Sequence, residues 1–379
     1  WFGDTCDGGT IVTLTPVGSF TVLHSFARQT GATLAFESAQ PADRGLYGFG
    51  TGLIFRVATD GVVTTFATEW TIYQLIQARD GKVYGLGYAP GRAPSFFVVA
   101  GDGTVTSLHT FLIDSEGSCP RSLIQASDGY FYGTSICDGA FDHGTLFRIA
   151  EDGSLTVLQQ FTAAFSSPDH LVEGPDGALF GTIYYYPFYL PPPYPIGDLR
   201  KAAFRVTTNG DFAIVRTFDS NNTDFVGFDG AAFHYVYSTY SNSTFFERWL
   251  RMTPDGTVTT LGSMSGSVHT WVLGRDGSLY GNVCCEQINL GRLIRFDADG
   301  TLTTLHTFTW SPAGAGPGLL VEASDGNFYG TTASGGTQNG GTLFRMTHWG
   351  RVDLLHEFGG AEGSGPGSLI QAADGYLYG

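Results

Sequence analysis

The sequence predicts an all-β fold, an eight-bladed β-propeller with four antiparallel strands per blade. Three observations support this prediction. One sequence unit recurs along the chain, each copy contains four short strand patterns, and the two ends of the chain hold complementary halves of one unit. A period of about 40 to 50 residues is typical of propeller blades. We therefore expect residues 1–379 to form a single propeller domain.

The first half of the unit is a predicted hairpin with an Asp-Gly turn. Four copies read LIQASDGYFYG, LVEGPDGALFG, LVEASDGNFYG and LIQAADGYLYG. Because Asp-Gly favours the positive φ of tight turns, the segments on either side are expected to pair as strands one and two. The glycine that ends this half recurs in steps of 48 or 49 residues at Gly85, Gly133 and Gly181, and again at Gly281, Gly330 and Gly379.

The second half of the unit supplies strands three and four. It reads GTLFRIAEDGSLTVLQQF in one copy and GTLFRMTHWGRVDLLHEF in another, with a second turn in the middle. Helical periodicity is absent from both halves. Four antiparallel strands per repeated unit are the architecture of a propeller blade.

The ends of the chain predict how the ring closes. The chain starts with a second half, from Gly9 to Phe26, and finishes with a first half, SLIQAADGYLYG. Together they would complete one blade and remove the open sheet edge. The expected blades cover approximately 27–66, 67–111, 112–161, 162–218, 219–261, 262–308, 309–358, and 359–379 together with 1–26.

The repeat resembles the GloVer (Gloeobacter/Verrucomicrobia) tandem-repeat family, whose units are similar to GLLVEASDGNFYGTTASGGTQNGGTLFRMT at Gly318 to Thr347. The resemblance covers nearly the whole chain and is weakest around His234. It implies a bacterial protein that is secreted or held at the cell surface, and it implies no particular activity. The first residue is Trp1, which is compatible with a signal peptide having been removed.

Composition narrows the expected partners. The net charge is −16 and the only lysines are Lys82 and Lys201, so the surface should repel phosphate backbones and nucleic-acid binding is not expected. No apolar run reaches transmembrane length. We expect a monomer whose partner is a polysaccharide or oligosaccharide.

The cysteines predict one disulfide and no zinc site. None of the five forms a C-x-x-C pair. Cys119 and Cys137 are the expected disulfide, and a vicinal bond between Cys284 and Cys285 is the weaker alternative. No cofactor is expected, although the loop carboxylates leave a structural calcium ion open.

All Asp-Gly turns should lie on one face of the ring, here called the turn face, and the variable loops on the other, the loop face. Variable loops gathered on one face are typical of a binding surface. The longest, residues 183–201, carries five tyrosines that would stack on sugar rings or, alternatively, pack across the next blade. The residues predicted to bind substrate are Tyr184, Tyr185, Tyr186, Tyr189, His143, His170, His269, Trp271 and Arg292.

The predicted catalytic residues are His234, Tyr235 and Arg248. His234 stands where the other units are expected to have glycine, so it is the sharpest departure from the repeat. A histidine base, a tyrosine acid and an arginine that stabilises an enolate are the groups that β-elimination requires. The favoured function is therefore a polysaccharide lyase. Relaxed packing in a degenerate blade would also explain His234.

Two other functions stay open at this point. One is a non-catalytic propeller that binds glycans or a protein partner through its loop face. The other is a glycoside hydrolase that uses two carboxylates. Neither G-x-S-x-G nor H-E-x-x-H occurs, which argues against common serine hydrolases and zinc peptidases.

Overall fold

The computed structural model of the chain is an eight-bladed β-propeller, as the repeat predicts. Eight four-stranded antiparallel sheets form a ring, and the only helix among the described residues is a single turn, α1 (Ile113–Glu116). The structure describes residues 10–15, 19–25, 35–36, 45–185, 200–218, 223–241, 244–265, 268–283, 291–309, 314–359, 364–367, 369–372 and 374–379.

The strands follow the chain blade by blade. The chain opens with β1 (Thr10–Leu14) and β2 (Phe20–Ser25). Blade 1 contains β3 (Ala35–Phe36), β4 (Leu46–Gly50), β5 (Leu53–Val57) and β6 (Val63–Ala67). Blade 2 contains β7 (Thr71–Gln77), β8 (Val83–Tyr88), β9 (Ser95–Val99) and β10 (Val105–Thr110). Blade 3 contains β11 (Ser118–Gln125), β12 (Phe131–Cys137), β13 (Thr145–Ile149) and β14 (Leu155–Gln160).

The same order continues through the second half of the ring. Blade 4 contains β15 (Phe165–Glu173), β16 (Leu179–Tyr185), β17 (Arg200–Val206) and β18 (Phe212–Thr217). Blade 5 contains β19 (Thr223–Phe228), β20 (Phe233–Ser241), β21 (Thr244–Met252) and β22 (Val258–Ser265). Blade 6 contains β23 (Val268–Leu273), β24 (Leu279–Val283), β25 (Arg292–Phe296) and β26 (Leu302–Thr307). Blade 7 contains β27 (Ala315–Glu322), β28 (Phe328–Ser334), β29 (Thr342–Met346) and β30 (Val352–Glu357).

Blade 8 is shared between the two ends of the chain. Its strand order is β2, β1, β32 (Leu377–Tyr378) and β31 (Ile370–Gln371), so the N-terminal half-blade is paired with the C-terminal half-blade. The Val12 amide donates to the Gly379 carbonyl at 2.9 Å, and Thr13 lies opposite Tyr378. The predicted closure is therefore confirmed, and the ring has no open edge at this blade.

The first strand of each blade lies closest to the axis of the ring. First strands of neighbouring blades contact one another, as β7 does with β11, β11 with β15, and β23 with β27. Fourth strands such as β6 and β10 have mostly exposed or half-buried side chains. The hydrophobic core lies between blades: one cluster joins Tyr132 and Leu146 of blade 3 to Leu171 and Phe204 of blade 4.

The turn face repeats one hydrogen-bond pattern. In blade 3, Asp128 accepts the Tyr130 amide at 3.1 Å and the Tyr132 hydroxyl at 2.7 Å, which locks the Asp-Gly hairpin. The equivalent tyrosine–aspartate pairs are Tyr84–Asp80, Tyr280–Asp276, Tyr329–Asp325 and Tyr378–Asp374. Burial, followed by the hydrogen bond to Asp80, raises the pKa of Tyr84 to about 12.

A second repeated contact joins neighbouring blades, and we call it the turn clamp. The Ser127 amide in the turn of blade 3 donates to Glu173, the last residue of the first strand of blade 4, at 2.8 Å. The same contact joins blades 2 and 3, 6 and 7, and 7 and 8, through Arg79–Gln125, Arg275–Glu322 and Ser324–Gln371. Each clamp satisfies a backbone N–H that the hairpin leaves unpaired.

The repeat glycine makes room for an aromatic ring. Gly133 lies opposite Phe147 in the sheet, and a Cβ at Gly133 would come within 2.4 Å of the phenylalanine ring. Gly330 lies opposite Phe344 in the same way. The phenylalanine ring therefore fills the space that a side chain at the glycine would occupy, and the two residues form one packing unit.

No helix among the described residues has the length and apolar character needed to cross a membrane.

Candidate functional site

His234 does not take the place of the repeat glycine. In the sheet it lies opposite Arg251, just as the repeat tyrosine Tyr132 lies opposite Arg148. Its Nε2 donates to Asp229 at 2.9 Å, so it replaces the tyrosine hydroxyl on the turn aspartate. The turn of blade 5 has four residues, 229–232, where that of blade 3 has five, 126–130. Asp229 directly follows the first strand, so five steps separate it from His234, whereas four separate Asp128 from Tyr132. Counting from the Asp-Gly pair therefore misplaced His234 by one position.

Tyr235 is the residue that stands at the glycine position. It lies opposite Leu250, whereas Gly133 lies opposite Phe147. Only 1% of the Tyr235 side chain is exposed, and it packs with Phe218, Phe233 and neighbouring apolar residues in the core between blades 4 and 5. In blade 5 the larger residue, Tyr235, is in the second strand and the smaller one, Leu250, is in the third, the reverse of Gly133 and Phe147 in blade 3. The exchange conserves the packed volume. Burial raises the pKa of Tyr235.

The structure does not bring the three predicted catalytic residues together. His234 and Tyr235 are neighbours in a strand, and their side chains point to opposite sides of the sheet. Arg248 is exposed and lies opposite Tyr237, three residues further along β20 than His234. Three residues of strand span about 10 Å. His234 belongs to the turn face, Tyr235 to the core and Arg248 to the other end of blade 5.

The loop tyrosines that the structure describes are packed within blade 4. Tyr185 stacks on Phe165 with ring centroids 6.1 Å apart, and Lys201 Nζ lies 5.2 Å from the centre of the Tyr184 ring. Both tyrosines are half-buried. These contacts match the packing alternative for this loop more closely than an open wall of stacking platforms. Tyr186 and Tyr189 lie outside the described residues.

The predicted binding residues of blade 6 lie in its first strand, β23, and at the start of its third strand, β25. Trp271 is half-buried and packs edge-on against Trp249, with ring centroids 4.5 Å apart, so it is a core residue and not a binding platform. Arg292 is half-buried at the start of β25, opposite Val283. His269 lies in β23 between Val268 and Thr270, at an irregularity in the pairing with β24.

Bulged first strands mark a different candidate site near the axis. In blade 2 the pairing skips Tyr73, and in blade 3 it skips Arg121, so each is the extra residue of a β-bulge. Both side chains are exposed. A bulge turns a side chain away from the regular alternation and is common beside active sites. Because first strands surround the axis, Tyr73 and Arg121 lie on adjacent strands around it.

Blade 4 adds a charged group to this site. The Asp169 carboxylate lies 3.5 Å from Arg121 Nε of blade 3 and 3.2 Å from His170 Nδ1. Burial of Asp169 opposes ionisation, but the hydrogen bond and charge of His170 outweigh it, and the pKa of Asp169 is lowered. His170, one of the predicted binding residues, is exposed. The carbonyl of His143 accepts the Ser167 amide at 3.2 Å, which places His143 beside the same strand.

Two thiols complete the site, which we call the axial cluster: Tyr73, Cys119, Arg121, Cys137, Asp169 and His170. Cys119 and Cys137 are free thiols that lie near each other where β11 starts and β12 ends. Partial burial, followed by Tyr88, Cys119 and Cys137, raises the pKa of Tyr73. The predicted disulfide is thus a pair of neighbouring thiols in this structure.

Strained backbone is concentrated around the axial cluster. Six non-glycine residues of the described chain have positive φ, and five of them belong to blades 3 and 4. These five are Cys119, Asp138, Asp142, Ser167 and His170. Left-handed backbone is unfavourable for such residues, and its concentration at one place is an indication of a functional site.

The sequence carries a signal for this cluster that the repeat analysis missed. Tyr73, Arg121 and Asp169 each stand two residues before the repeat leucine of their blade, where blade 7 has Gly318. Chemically diverse residues at one repeat position indicate a surface that the fold itself does not constrain. Among the described residues, no group of three or more His, Cys, Asp or Glu is arranged to hold a metal ion.

Comparisons with known structures find the propeller fold in several hydrolases. The chain is similar to Porphyromonas gingivalis dipeptidyl peptidase 4 (TM-score 0.58, 10% identity, 86% of this chain and 53% of that one). It is also similar to prolyl oligopeptidase B from Galerina marginata (TM-score 0.53, 10% identity, 100% and 64%). Puromycin hydrolase matches with a TM-score of 0.50 and 14% identity over 75% of this chain and 46% of that one. At this identity the likeness shows the fold alone, and the chain spans less than two thirds of each of these proteins.

Sequence comparisons identify the repeat. A search of curated proteins finds no match. A family model described as the Gloeobacter/Verrucomicrobia repeat matches residues 202–379, from the third strand of blade 4 to the C-terminal half of blade 8. This match agrees with the resemblance seen in the repeat phrases: residues 202–379 of this chain are similar to the Gloeobacter/Verrucomicrobia repeat.

Proposed function

We propose that this propeller is a binding protein that holds an oligosaccharide at the axial cluster. The observation that carries the proposal is the ring of Tyr73, 42% exposed, on the first strand of blade 2. The next two first strands around the axis carry the exposed Arg121 and His170. An exposed aromatic ring beside planar hydrogen-bonding groups is a combination that suits a sugar, which has an apolar face and a rim of hydroxyls.

The hydrogen-bonding groups of the cluster are held ready for hydroxyls. Asp169 supplies acceptor oxygens and is kept ionised by His170 and Arg121. Arg121 keeps donor capacity because its side chain is 58% exposed and its contact with Asp169 is as long as 3.5 Å. Charge-assisted hydrogen bonds of this kind are stronger than neutral ones.

The charge of the site favours an uncharged glycan. Arg121 is balanced by Asp169, and the chain as a whole carries −16, so a polyanion would gain little at the axis and be repelled elsewhere. A neutral oligosaccharide avoids this repulsion. Secretion or display at the cell surface, which the repeat family implies, would bring such a propeller to extracellular glycans.

The test is glycan binding with two matched tyrosine variants. Tyr73→Ala removes the ring at the axis, while Tyr376→Ala removes a ring of equal exposure, 41%, from the Asp-Gly turn of blade 8 on the turn face. We expect the full chain to bind neutral oligosaccharides in array and calorimetry experiments. Tyr73→Ala should weaken binding about tenfold, which corresponds to about 1.4 kcal/mol, and Tyr376→Ala should leave it unchanged.

Two results would refute this proposal. One is equal loss of affinity in both tyrosine variants while near-ultraviolet circular dichroism shows both folded. The other is the absence of binding by the unmodified chain to every neutral glycan tested.

A polysaccharide lyase is the second candidate function. The observation in its favour is that the axial cluster contains the residue types that elimination needs, with His170 as base, Tyr73 as acid and Arg121 as the cation. The substrate would then have to be a uronate-containing polysaccharide. Formation of unsaturated sugar ends from such substrates, abolished in His170→Ala, would favour the lyase over simple binding.

A further inference from the structure

We propose that Cys119 and Cys137 form a reversible disulfide at the axial cluster, made and broken by exchange with low-molecular-weight thiols. The two thiols belong to the cluster proposed to bind the glycan, but disulfide formation does not require a bound glycan. The two cysteines lie at the loop-face end of blade 3, where β11 starts and β12 ends. Cys119 is exposed and Cys137 is half-buried.

The backbone of Cys119 is irregular where the two thiols lie. Ser118 lies directly opposite Cys137, so regular alternation would direct the next side chain, that of Cys119, to the other side of the sheet. Cys119 instead has a φ of 55°, so its backbone departs from that alternation. The two thiols are close enough across the strands for Cys119 to raise the pKa of Cys137, after the larger effect of burial.

The positive φ of Cys119 recurs at the equivalent position of other blades, whereas the two thiols occur in blade 3. Four residues before the repeat leucine, blade 7 has Gly316 with φ 64° and blade 4 has Ser167 with φ 51°. Glycine adopts this conformation without strain, whereas serine and cysteine do not. In blade 4 the residue opposite the start of the strand is Tyr185, and in blade 7 it is Ser334. Of these three described blades, only blade 3 places cysteine at both positions.

The environment distinguishes the roles of the two thiols. Burial, followed by the hydrogen bond to Cys119, raises the pKa of Cys137 to about 12, and the neighbouring Asp138 carboxylate acts in the same direction. Ser118 donates to that carboxylate and holds it in place. Since the thiolate is the attacking species, the exposed Cys119 is the thiol that reacts first, and Cys137 is the resolving partner.

The exchange balances with a small disulfide as oxidant. The Cys119 thiolate attacks one sulfur of oxidised glutathione, which forms a mixed disulfide and releases one glutathione thiolate. Cys137 then loses its proton and displaces the second glutathione from Cys119. The two protein thiols have lost two electrons and two protons, and one oxidised glutathione has become two reduced molecules.

The test is thiol mapping in buffers of defined glutathione ratio. The first protein is the full chain with Cys6, Cys284 and Cys285 changed to serine, so that only the pair in blade 3 remains. We expect both thiols to disappear in oxidising buffer, a peptide linked through residues 119 and 137 to appear by mass spectrometry, and reduced glutathione to reverse both changes.

Single-cysteine variants test the order of events. In the same background, Cys137→Ser should trap a mixed disulfide between glutathione and Cys119, because no resolving thiol remains. Cys119→Ser should be modified at least tenfold more slowly. Mapping of the unmodified chain provides the same linked peptide if the serine background does not fold.

The proposal is overturned if folded protein keeps two free thiols in the most oxidising buffer. It is also overturned if cysteines 119 and 137 appear only in bonds between separate chains, or if Cys137→Ser fails to form the mixed disulfide. Loss of glycan binding without loss of disulfide formation would refute only the proposed function, since neither measurement depends on the other.

Discussion

The boundary between blades 3 and 4 is polar at the turn face, whereas the boundary between blades 4 and 5 is aromatic. The first is joined by the turn clamp from Ser127 to Glu173. At the second, Pro175 replaces the donor residue and has no amide N–H, and Phe228 replaces the acceptor. Both halves of the clamp are therefore absent together.

An aromatic stack takes the place of the missing clamp. The ring centroids of Phe180 in blade 4 and Phe233 in blade 5 are 4.2 Å apart, and those of Phe233 and Phe228 are 4.7 Å apart. Phe180 also replaces the repeat tyrosine, and the turn residue Asp176 binds Arg205 instead, at 2.6 Å. At the boundary of blades 4 and 5, residues that differ from the repeat are buried, and each change is compensated by another. At the axis, residues that differ from the repeat are exposed, and several have strained backbone. Burial and compensation therefore distinguish packing substitutions from candidate binding residues.

The exchange of Tyr235 and Leu250 provides the strongest test of compensated packing. Tyr235→Gly should destabilise the protein by about 3–5 kcal/mol, because it leaves a cavity that Leu250 cannot fill. Adding Leu250→Phe restores the glycine–phenylalanine unit of the other blades and should recover more than half of that loss. Denaturant unfolding of the two variants gives the values. Equal stability of the single and double variants would contradict the packing unit.

Acid should weaken the regular turns through their aspartates. Burial of Asp325 opposes its ionisation, but its hydrogen bonds from Asn327 and Tyr329 lower its pKa. Since the unfolded value is about 3.9, the stabilisation is present above about pH 4 and is lost as the pH falls through the lower folded pKa. Thermal unfolding at pH 6 and pH 3 should show the decrease, and Asp325→Asn should make it smaller. An unchanged decrease would assign acid sensitivity to other groups.

His234 tests whether the divergent blade keeps the same turn interaction. His234→Phe removes the donor to Asp229, which still accepts the amides of Ala231 and Ala232. We expect a loss of about 1–3 kcal/mol, the range for a hydrogen bond to a charged group. His234→Tyr places the repeat residue there and should recover at least half. Equal losses in both variants, measured by urea unfolding, would show that histidine itself is required.

The turn clamp predicts the smallest effects. Glu173→Ala removes an acceptor for the Ser127 amide and should cost about 1 kcal/mol. Pro175→Ser supplies a donor at the next boundary, where Phe228 offers no acceptor, and should change the unfolding free energy by less than about 0.5 kcal/mol. Unfolding midpoints measured side by side give the comparison. A larger effect of Pro175→Ser would mean that the proline rigidifies its turn.

The sequence predicts the fold well because the repeat fixes it several times over. Period, Asp-Gly turns and the two half-units all require a closed ring, and each was confirmed. The register of blade 5 was missed because five steps separate Asp229 from His234, whereas four separate Asp128 from Tyr132. The phrase LRM at 250–252 aligns with FRI at 147–149 and would have fixed the register from the third strand.

The axial cluster was only partly predictable. His170 was recognised because it departs from the repeat, but Tyr73 and Arg121 were not. Their exposure depends on β-bulges in the first strands. Pro120 is typical of a bulge in blade 3, but nothing in the residue types of Ile72 to Gln74 indicates the bulge of blade 2. Positive φ at Cys119 and Ser167 is equally invisible, because neither residue favours it.

The turn clamp has a consequence for how such a ring changes over evolution. A regular unit brings both the acceptor at the end of its first strand and the donor in its turn, so any two regular units fit side by side. Duplication or deletion of one unit would then create or remove a blade without requiring a new boundary. Blades 4 and 5 lack this freedom, since Pro175 supplies no amide donor and Phe228 no acceptor, so a regular unit inserted between them would leave its own acceptor and donor without partners.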